Sequence, residues 1–268
     1  MAVVKVVFSP TGGTQRVADV LAERLAERLG ESAPSSVDLA DPAAEKVPAE
    51  RSLATLDASD LAVIAVPSYG GRVPKTASEH LARVAGNGAR AALVCVYGNR
   101  AYEDTLVELE DVAKAAGFSP VAAVAAVAEH SIVREIVAGR PDDADRQELQ
   151  GFADKIAERV SQLAPDESPS APSLPGNRPY KKAGGTGMVP KATRSCVNCG
   201  TCARLCPVQA IDPSDCRKVD AKRCISCMRC VSVCPHGARS VSKVMLAAAG
   251  AALKKACADR KGNELFLV

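Results

Sequence analysis

The chain has 268 residues, 47% of them hydrophobic, which is enough for one full α/β domain and a smaller second domain. Its net charge of +3 combines an acidic part, residues 1–163 at −7, with a basic part, residues 164–268 at +10, and these opposite signs favour docking of the two parts. The longest apolar runs, residues 121–128 and 244–253, are far shorter than the roughly 18 residues of a membrane-spanning helix, so no membrane span is predicted.

The chain opens with a pattern typical of a phosphate site. Residues 3–8 are apolar except for Lys5, which predicts a strand buried on both faces of a parallel sheet. A helical pattern begins after a loop made of Ser9, Pro10, Thr11, Gly12, Gly13 and Thr14. Strand, short loop and helix N-terminus together bind phosphate. The loop lacks the lysine of a P-loop and the GxGxxG of a dinucleotide site, so it suits a flavin mononucleotide; a capped helix start is the alternative.

Further apolar stretches alternate with helical patterns. The predicted strands lie at residues 36–39, 61–66, 91–96 and 121–128, and the helices at 76–85, 102–116 and 146–163. Five strands alternating with helices predict a doubly wound five-stranded parallel sheet of the α/β class. Ligands of such sheets bind beyond the carboxyl ends of the strands.

Three of the four tyrosines lie in two loops at those strand ends. The first loop supplies Pro67, Ser68, Tyr69, Gly70 and Gly71, and the second supplies Tyr97, Gly98, Asn99, Arg100 and Tyr102. We interpret them as ring-binding loops, in which aromatic side chains flank a planar ring and glycines let backbone amides approach it. The alternative is that they are ordinary loop tyrosines.

Residues 1–163 resemble a flavodoxin-like domain. Residues 9–14 are similar to the Ser/Thr-x-Thr-Gly-x-Thr phosphate loop of that family, and the two tyrosine loops are similar to its ring-binding loops. The resemblance implies bound FMN and an electron-transfer activity. The chain lacks the tryptophan and the strongly acidic ring surroundings of many free flavodoxins, so the stacking residue stays open.

Residues 164–190 are rich in Pro, Ser, Gly and Lys and show no apolar periodicity, which predicts a linker between domains. Within it, residues 184–187 read Gly-Gly-Thr-Gly. Because this stretch follows no strand and opens no helix, we do not interpret it as a nucleotide loop.

Eight of the eleven cysteines form two copies of one pattern, C-x2-C-x2-C-x3-C-P. The copies contain Cys196, Cys199, Cys202 and Cys206, and Cys224, Cys227, Cys230 and Cys234. The spacing is that of bacterial two-cluster ferredoxins, in which the fourth cysteine of each run ligates the other cluster. It implies one [4Fe–4S] cluster on Cys196, Cys199, Cys202 and Cys234, and another on Cys206, Cys224, Cys227 and Cys230.

Other cysteine chemistries fit this pattern less well. A tetrahedral zinc ion needs no third cysteine at the same short spacing. A disulfide framework would need an oxidising compartment, whereas the sequence starts with strand-like residues and no signal peptide, so we expect a cytoplasmic location. Basic residues in the second half would offset the negative charge of bound clusters.

The two halves together resemble the EFR1-type flavodoxin/ferredoxin fusions. We therefore expect an FMN-binding domain at residues 1–163, a linker at 164–190, and a small α+β ferredoxin-like 2[4Fe-4S] domain at 191–268 that includes a helix at 241–260. Cys95, Cys216 and Cys257 have no partner at ligand spacing and are predicted to be structural. The three histidines form no catalytic arrangement.

The sequence predicts an electron-transfer flavo-iron–sulfur protein that relays electrons between two clusters and FMN. The onward acceptor is a redox partner protein or a small molecule, and clusters that carry single electrons suit a flavin that exchanges one or two. The alternative is a flavin-dependent oxidoreductase that reduces a small organic or quinone substrate. We favour the carrier. A redox sensor that binds nucleic acid has no recognised reader motif, so no nucleic-acid partner is expected.

Overall fold

The computed structural model describes residues 1–48, 51–164, 167 and 172–268. The strands, in chain order, are β1 (Val3–Val7), β2 (Ser35–Asp38), β3 (Ala54–Thr55), β4 (Leu61–Pro67), β5 (Val84–Ala85), β6 (Arg90–Tyr97), β7 (Ser119–Val127), β8 (Lys191–Ala192), β9 (Arg239–Ser240) and β10 (Glu264–Leu267). The helices are α1 (Gly13–Leu29), α2 (Lys75–Leu81), α3 (Thr105–Ala115), α4 (Asp143–Gln162), α5 (Thr201–Arg204), α6 (Arg229–Ser232) and α7 (Lys243–Lys254). A 3-10 turn spans Pro42–Lys46.

The main sheet has the strand order β2-β1-β4-β6-β7-β10. The first five strands are parallel, and β10 is antiparallel to β7. Counted along the chain, the parallel strands have the order 2-1-3-4-5 of flavodoxin-like sheets. The predicted five-stranded doubly wound sheet is therefore confirmed, and the antiparallel sixth strand extends it.

Two apolar layers enclose the sheet. Strands β4, β6 and β7 are buried along almost their whole length, as expected for strands covered on both faces. On one face α1 and α4 pack with the sheet through side chains such as Leu21, Leu25 and Ile156. On the other, α2 and α3 bury Leu81, Leu106 and others. Burial of each such side chain contributes about 1.5–3 kcal/mol.

The carboxyl end of the chain returns to this sheet. In the ladder between β10 and β7, Leu265 lies opposite Val124. Asn99, which is fully buried, donates to the carbonyls of Cys257 and Asp259 at 3.1 and 2.8 Å. Residues 264–267 thus complete the sheet of the first part of the chain, although the sequence pattern grouped them with the cysteine-rich part.

Part of the segment predicted as a linker, residues 177–181, lies against α3 and its N-cap residue Asp104. Asp104 accepts hydrogen bonds from the amides of Asn177 and Lys181, at 2.8 and 2.7 Å. Arg178 pairs with Asp111 at 2.8 Å. Basic groups of the second half thus meet acidic groups of the first, as the opposite net charges of the two halves predict.

The cysteine-rich part is small and has little regular structure. The short ladder between β8 and β9 joins its two ends, with Ala192 opposite Arg239. Its apolar core consists largely of cysteines and a few aliphatic residues. Helix α7 follows, shorter than predicted, and the side chain of Val244 is 79% exposed. Among the described residues, no helix has the length and hydropathy required to cross a bilayer.

Candidate functional site

A cavity of about 550 Å³ lies at the carboxyl ends of the parallel strands. Sheets of this topology bind ligands at that place, and the volume is in the range of small-molecule sites. Nine residues that the sequence predicted for a flavin site line it: Thr11, Gly13, Thr14, Pro67, Ser68, Tyr69, Gly70, Tyr97 and Gly98.

The loop before α1 presents a helix N-terminus to this cavity. Gly12 is the N-cap residue, with a left-handed φ of 88° and no side chain to cap the helix. The Ser9 hydroxyl instead accepts a hydrogen bond from the Gln15 amide at 2.9 Å, and this bond links the start of the loop to the first turn of α1. The partial positive charge of the helix N-terminus favours an anionic group such as a phosphate.

The loop after β4 is a tight turn. The amide of Tyr69 donates to the carbonyl of Arg72 at 2.9 Å, and Gly70 and Gly71 both have positive φ. A side chain at Gly71 would overlap Glu103, so this position requires glycine. Burial raises the pKa of Tyr69 well above that of a free phenol, and the nearby Cys227 thiol adds to the shift.

The loop after β6 places Gly98 against His130. Any β-carbon at Gly98 would collide with the imidazole ring. The His130 Nδ1 lies 3.2 and 3.1 Å from the amides of Ile132 and Val133, so it accepts from them and the neutral ring carries its proton on Nε2. Burial lowers the pKa of His130, as does Arg100. His130 lines the cavity, and the sequence analysis did not select it.

Six predicted site residues lie outside the cavity lining. Ser9, Gly12 and Gly71 shape the two loops. Asn99 binds the C-terminal segment, Arg100 pairs with Glu103 at 2.8 Å, and the Tyr102 hydroxyl donates to Glu264 at 3.1 Å. The side chains of Asn99, Arg100 and Tyr102 therefore contact other protein groups and do not line the cavity.

Two further segments complete the cavity, and the sequence analysis missed both. Residues 183–187, which include the Gly-Gly-Thr-Gly stretch and are called the strap below, line the cavity and are exposed to solvent on their other side. Ala221, Cys224, Ile225 and Ser226 contribute from the cysteine-rich part. No local sequence signal marks the strap, because its position depends on the charged contacts that hold residues 177–181 on α3.

The eight patterned cysteines lie around two small cavities. The first cavity is lined by Cys196, Cys199, Cys202 and Cys234, and the second by Cys206, Cys224, Cys227 and Cys230. Each set therefore combines three cysteines of one run with the fourth cysteine of the other. Burial raises the pKa of Cys202 to about 11 and that of Cys227 to about 12. Binding of a metal centre would have to displace these thiol protons.

Two arginines, Arg239 and the partly buried Arg229, add positive charge to these cavities. Arg239 lines both, Arg229 lines the second, and the Nε atoms of the two side chains are buried without a hydrogen-bond partner in the described residues. Four thiols and a buried cation fit an anionic cluster with four thiolate ligands. The described residues hold no group of three His, Cys, Asp or Glu side chains arranged for a single metal ion.

The second cysteine cavity adjoins the cavity at the strand ends. Cys224 and Ile225 line both of them. Only the Cys224 side chain would therefore separate a group that it ligates from a molecule bound at the strand ends. The first cysteine cavity lies further out, where Cys199 is exposed.

The three remaining cysteines have different surroundings. Cys95 is buried in β6, and Cys257 lies 3.8 Å from the Gly98 carbonyl. Cys216 is 1% exposed and lines the first cysteine cavity beside the four patterned cysteines. Its backbone amide donates to Asn198 at 2.7 Å, so the residue also supports the loop that follows Cys196.

Comparisons with known proteins find similarity of two kinds. Residues 195–238 match the family model of the 4Fe-4S dicluster domain. No curated protein matches the chain significantly. The chain therefore combines a flavodoxin-like α/β fold with a segment that matches a 4Fe-4S dicluster domain.

Solved structures with similarity to the chain include flavodoxins. One from Streptococcus pneumoniae TIGR4 is 23% identical over 59% of this chain and 100% of its own, with a TM-score of 0.39. One from Megasphaera elsdenii is 16% identical over 58% and 98%, with a TM-score of 0.39. Rubredoxin oxygen:oxidoreductase from Desulfovibrio gigas is 16% identical over 60% and 36%, with a TM-score of 0.42. Because these scores are low, the fold assignment depends on the strand order.

Proposed function

We propose that the protein transfers electrons between two [4Fe–4S] clusters and FMN, and on to a redox partner. The observation that carries the proposal is the shared wall: Cys224 and Ile225 line both the second cysteine cavity and the cavity at the strand ends. When bound, the clusters carry single electrons and the flavin exchanges one or two. The EFR1-type assignment, the domain bounds at 163 and 190 and a cytoplasmic location belong to the same proposal.

The residues of the large cavity have distinct roles toward FMN in this proposal. Thr11, Gly13 and Thr14, at the start of α1, bind the phosphate. Tyr69 and Tyr97 flank the ring, and burial raises the pKa of Tyr97 to about 12, so the phenol stays neutral at physiological pH. The strap at residues 183–187 excludes water from the ring.

The cysteines hold the clusters in the two crossed sets. Cys196, Cys199, Cys202 and Cys234 bind the outer cluster, and Cys206, Cys224, Cys227 and Cys230 bind the inner one. Exposure of Cys199 makes the outer site the contact for external electron donors. With the inner cluster and FMN bound, Cys224 and Ile225 would lie between them and would form the route for electron transfer.

Anaerobic stopped-flow spectroscopy tests this order. Protein purified without air should contain two cubanes and one FMN per chain, and rapid reduction of the clusters should be followed by a slower change in flavin absorbance. Protein that carries zinc, that lacks flavin, or whose flavin stays oxidised after the clusters are reduced would contradict the proposal.

Acidification should release the strap and then the flavin. Hydrogen bonds from Lys181 and Asn177 lower the pKa of Asp104 below 3.8, and Arg178 lowers that of Asp111. A lowered pKa means that the contact stabilises the protein fully above about pH 4 and is lost as the pH falls through the folded-state value. Flavin fluorescence should therefore rise below about pH 4, before the far-UV circular dichroism of the sheet is lost.

Asp104→Asn provides the matched control for this prediction. It removes the charge at any pH, so its flavin should dissociate more readily already at pH 7. Cluster absorbance is recorded in the same samples, because only flavin release that precedes cluster bleaching reports on the strap. Simultaneous loss of flavin and sheet in the unmodified protein would show that the strap contributes nothing.

Basic residues at the outer cluster should steer anionic donors. Arg204 and Arg217 are exposed and donate to the carbonyls of Cys199 and Cys196, at 3.1 and 2.9 Å. Replacing both with glutamate should slow reduction by dithionite about tenfold at low salt, and high salt should remove the difference. Reduced methyl viologen, a cation, should show the opposite trend. Lys155→Glu, on the exposed side of α4, is the control and should change neither rate.

Another cavity, which we call the acceptor cavity, favours reduction of a small apolar acceptor as an additional activity. It has about 710 Å³, lies between residues 131–137 and α7, and is largely apolar. Ser131 and Ile132 line both this cavity and the flavin cavity. A quinone bound there would take up two electrons across the Ile132 wall and two protons from solvent.

Ala247→Trp tests this activity, because Ala247 lines the acceptor cavity and not the flavin cavity. We expect the variant to lose most of its turnover with menadione while electron transfer from the clusters to the flavin is unchanged. Unaltered menadione turnover in a folded variant with full flavin content would assign the reaction to another surface.

A further inference from the structure

Arg239 occupies the centre of the cysteine-rich part. It lies in β9, is 3% exposed, and is fixed by the ladder in which it faces Ala192 of β8. This ladder joins the two ends of the segment that contains the cysteine runs. The position of the guanidinium is therefore set by the backbone of the whole unit.

No carboxylate in the described part of the chain matches the charge of Arg239. Its Nη1 donates to the Cys216 carbonyl at 2.7 Å and its Nη2 to the Pro190 carbonyl at 3.4 Å, while Nε has no partner. Across the described residues, no Asp or Glu lies within ion-pair distance of it. A buried guanidinium without an anion is costly, so an anionic group is expected beside it.

The guanidinium faces both cysteine sets. Nη1 lies 3.7 Å from the Cys202 sulfur of the first cavity, and the side chain also lines the second cavity beside Cys230. Arg229 differs from Arg239 in two ways. Of the two cysteine cavities it lines only the second, and it has a carboxylate, that of Asp38, at 3.8 Å. Arg239 is thus shared by the two cavities, and Arg229 belongs to one.

We propose that Arg239 is the common counter-charge of both clusters and sets their two reduction potentials together. The proposal rests on the proposed function, since it assumes that both cavities hold clusters. Reduction adds negative charge beside a fixed positive charge, so the guanidinium favours the reduced form and raises the potential. Because the side chain is buried, salt screens this effect little.

Arg239→Gln tests the proposal by redox titration followed by EPR and by the paramagnetically shifted NMR signals of each cluster. Both potentials should fall, each by at least the 59 mV that corresponds to a tenfold change in a one-electron equilibrium constant. Arg229→Gln is the matched control, and it should lower the potential of the inner cluster alone. Iron content and circular dichroism establish that each variant is assembled.

Unchanged potentials in an assembled Arg239→Gln protein, or a fall at one cluster only, would overturn the proposal. If that variant does not retain iron, pulsed EPR of the reduced wild-type protein labelled with [15N]arginine gives the answer. Each reduced cluster should show an arginine nitrogen coupling that is lost in Arg239→Lys, whereas a coupling from Arg229 remains at the inner cluster, and absence of the Arg239 coupling at either cluster would refute a shared charge. Neither measurement depends on electron transfer to the flavin, so failure of the relay is detected separately by stopped flow.

Discussion

Cys224→Ala should abolish the inner cluster and slow electron transfer from the outer cluster to the flavin by orders of magnitude. Cys224 is one of the four cysteines of the second cysteine cavity. Together with Ile225 it forms the wall that this cavity shares with the flavin cavity. The substitution removes a ligand and one of the two side chains that line both sites. The measurement is iron and sulfide per chain, followed by stopped-flow recording of flavin absorbance after reduction of the remaining cluster.

Two control variants distinguish loss of the electron-transfer route through Cys224 from the general effect of removing a cysteine. Cys199→Ala should remove the outer cluster and leave the inner one next to the flavin, so a small reductant that reaches the inner cluster should still reduce the flavin rapidly. Cys95→Ala changes a buried cysteine of β6 outside both cysteine cavities and should leave iron content and transfer unchanged. Rapid flavin reduction in a Cys224→Ala protein that has lost its inner cluster would place the electron route elsewhere.

Local patterns were sufficient to predict the sheet and the cysteine sets. Apolar stretches of strand length alternate with helical periodicity, so the strands from β1 to β7 that form the parallel sheet were all predicted, including the exposed edge strand β2. The crossed cysteine sets come from the resemblance of this spacing to bacterial two-cluster ferredoxins, in which the fourth cysteine of each run ligates the other cluster. The structure arranges the thiols in the same two groups.

Long-range contacts were beyond the reach of these patterns. The strap at residues 183–187 has no apolar periodicity, and its place over the cavity depends on Asp104 and Asp111, which lie about 70 residues earlier in the chain. The final strand β10 spans four residues, too few to stand out from a short apolar tail. His130 is a single histidine whose role appears when its ring packs on Gly98.

The loop after β6 shows that neighbouring residues of one predicted motif can have different roles. Tyr97 and Gly98 line the cavity as predicted from their place at a strand end. Asn99, Arg100 and Tyr102 come next. The side chains of Asn99 and Tyr102 bind the returning C-terminal segment, and the Arg100 side chain pairs with Glu103. Polar residues in a binding loop can serve the fold as well as a ligand, and sequence alone does not separate the two.

Asp145→Ala should destabilise the first part of the chain by about 3–5 kcal/mol, the cost of breaking a buried ion pair. Asp145 is 2% exposed, and Arg140, which is 3% exposed, donates to both of its carboxylate oxygens. Arg140 Nη1 also donates to the Lys261 carbonyl at 2.9 Å, so the pair anchors the segment that leads to β10. Thermal unfolding should shift down by roughly 6–20 °C for a unit of this size.

Asp154→Ala on the same helix is the matched control. Asp154 pairs with Arg24 at 2.7 Å, but its side chain is 37% exposed, and such exposed pairs contribute about 0–1 kcal/mol. The two variants remove the same chemical group from α4, so the difference between their melting temperatures reports the buried ion pair together with the capping box that Asp145 forms with Asp142. Equal melting temperatures would mean that the Arg140–Asp145 pair does not hold the C-terminal segment, and hydrogen exchange at the amides of β10 would then be unchanged in Asp145→Ala as well.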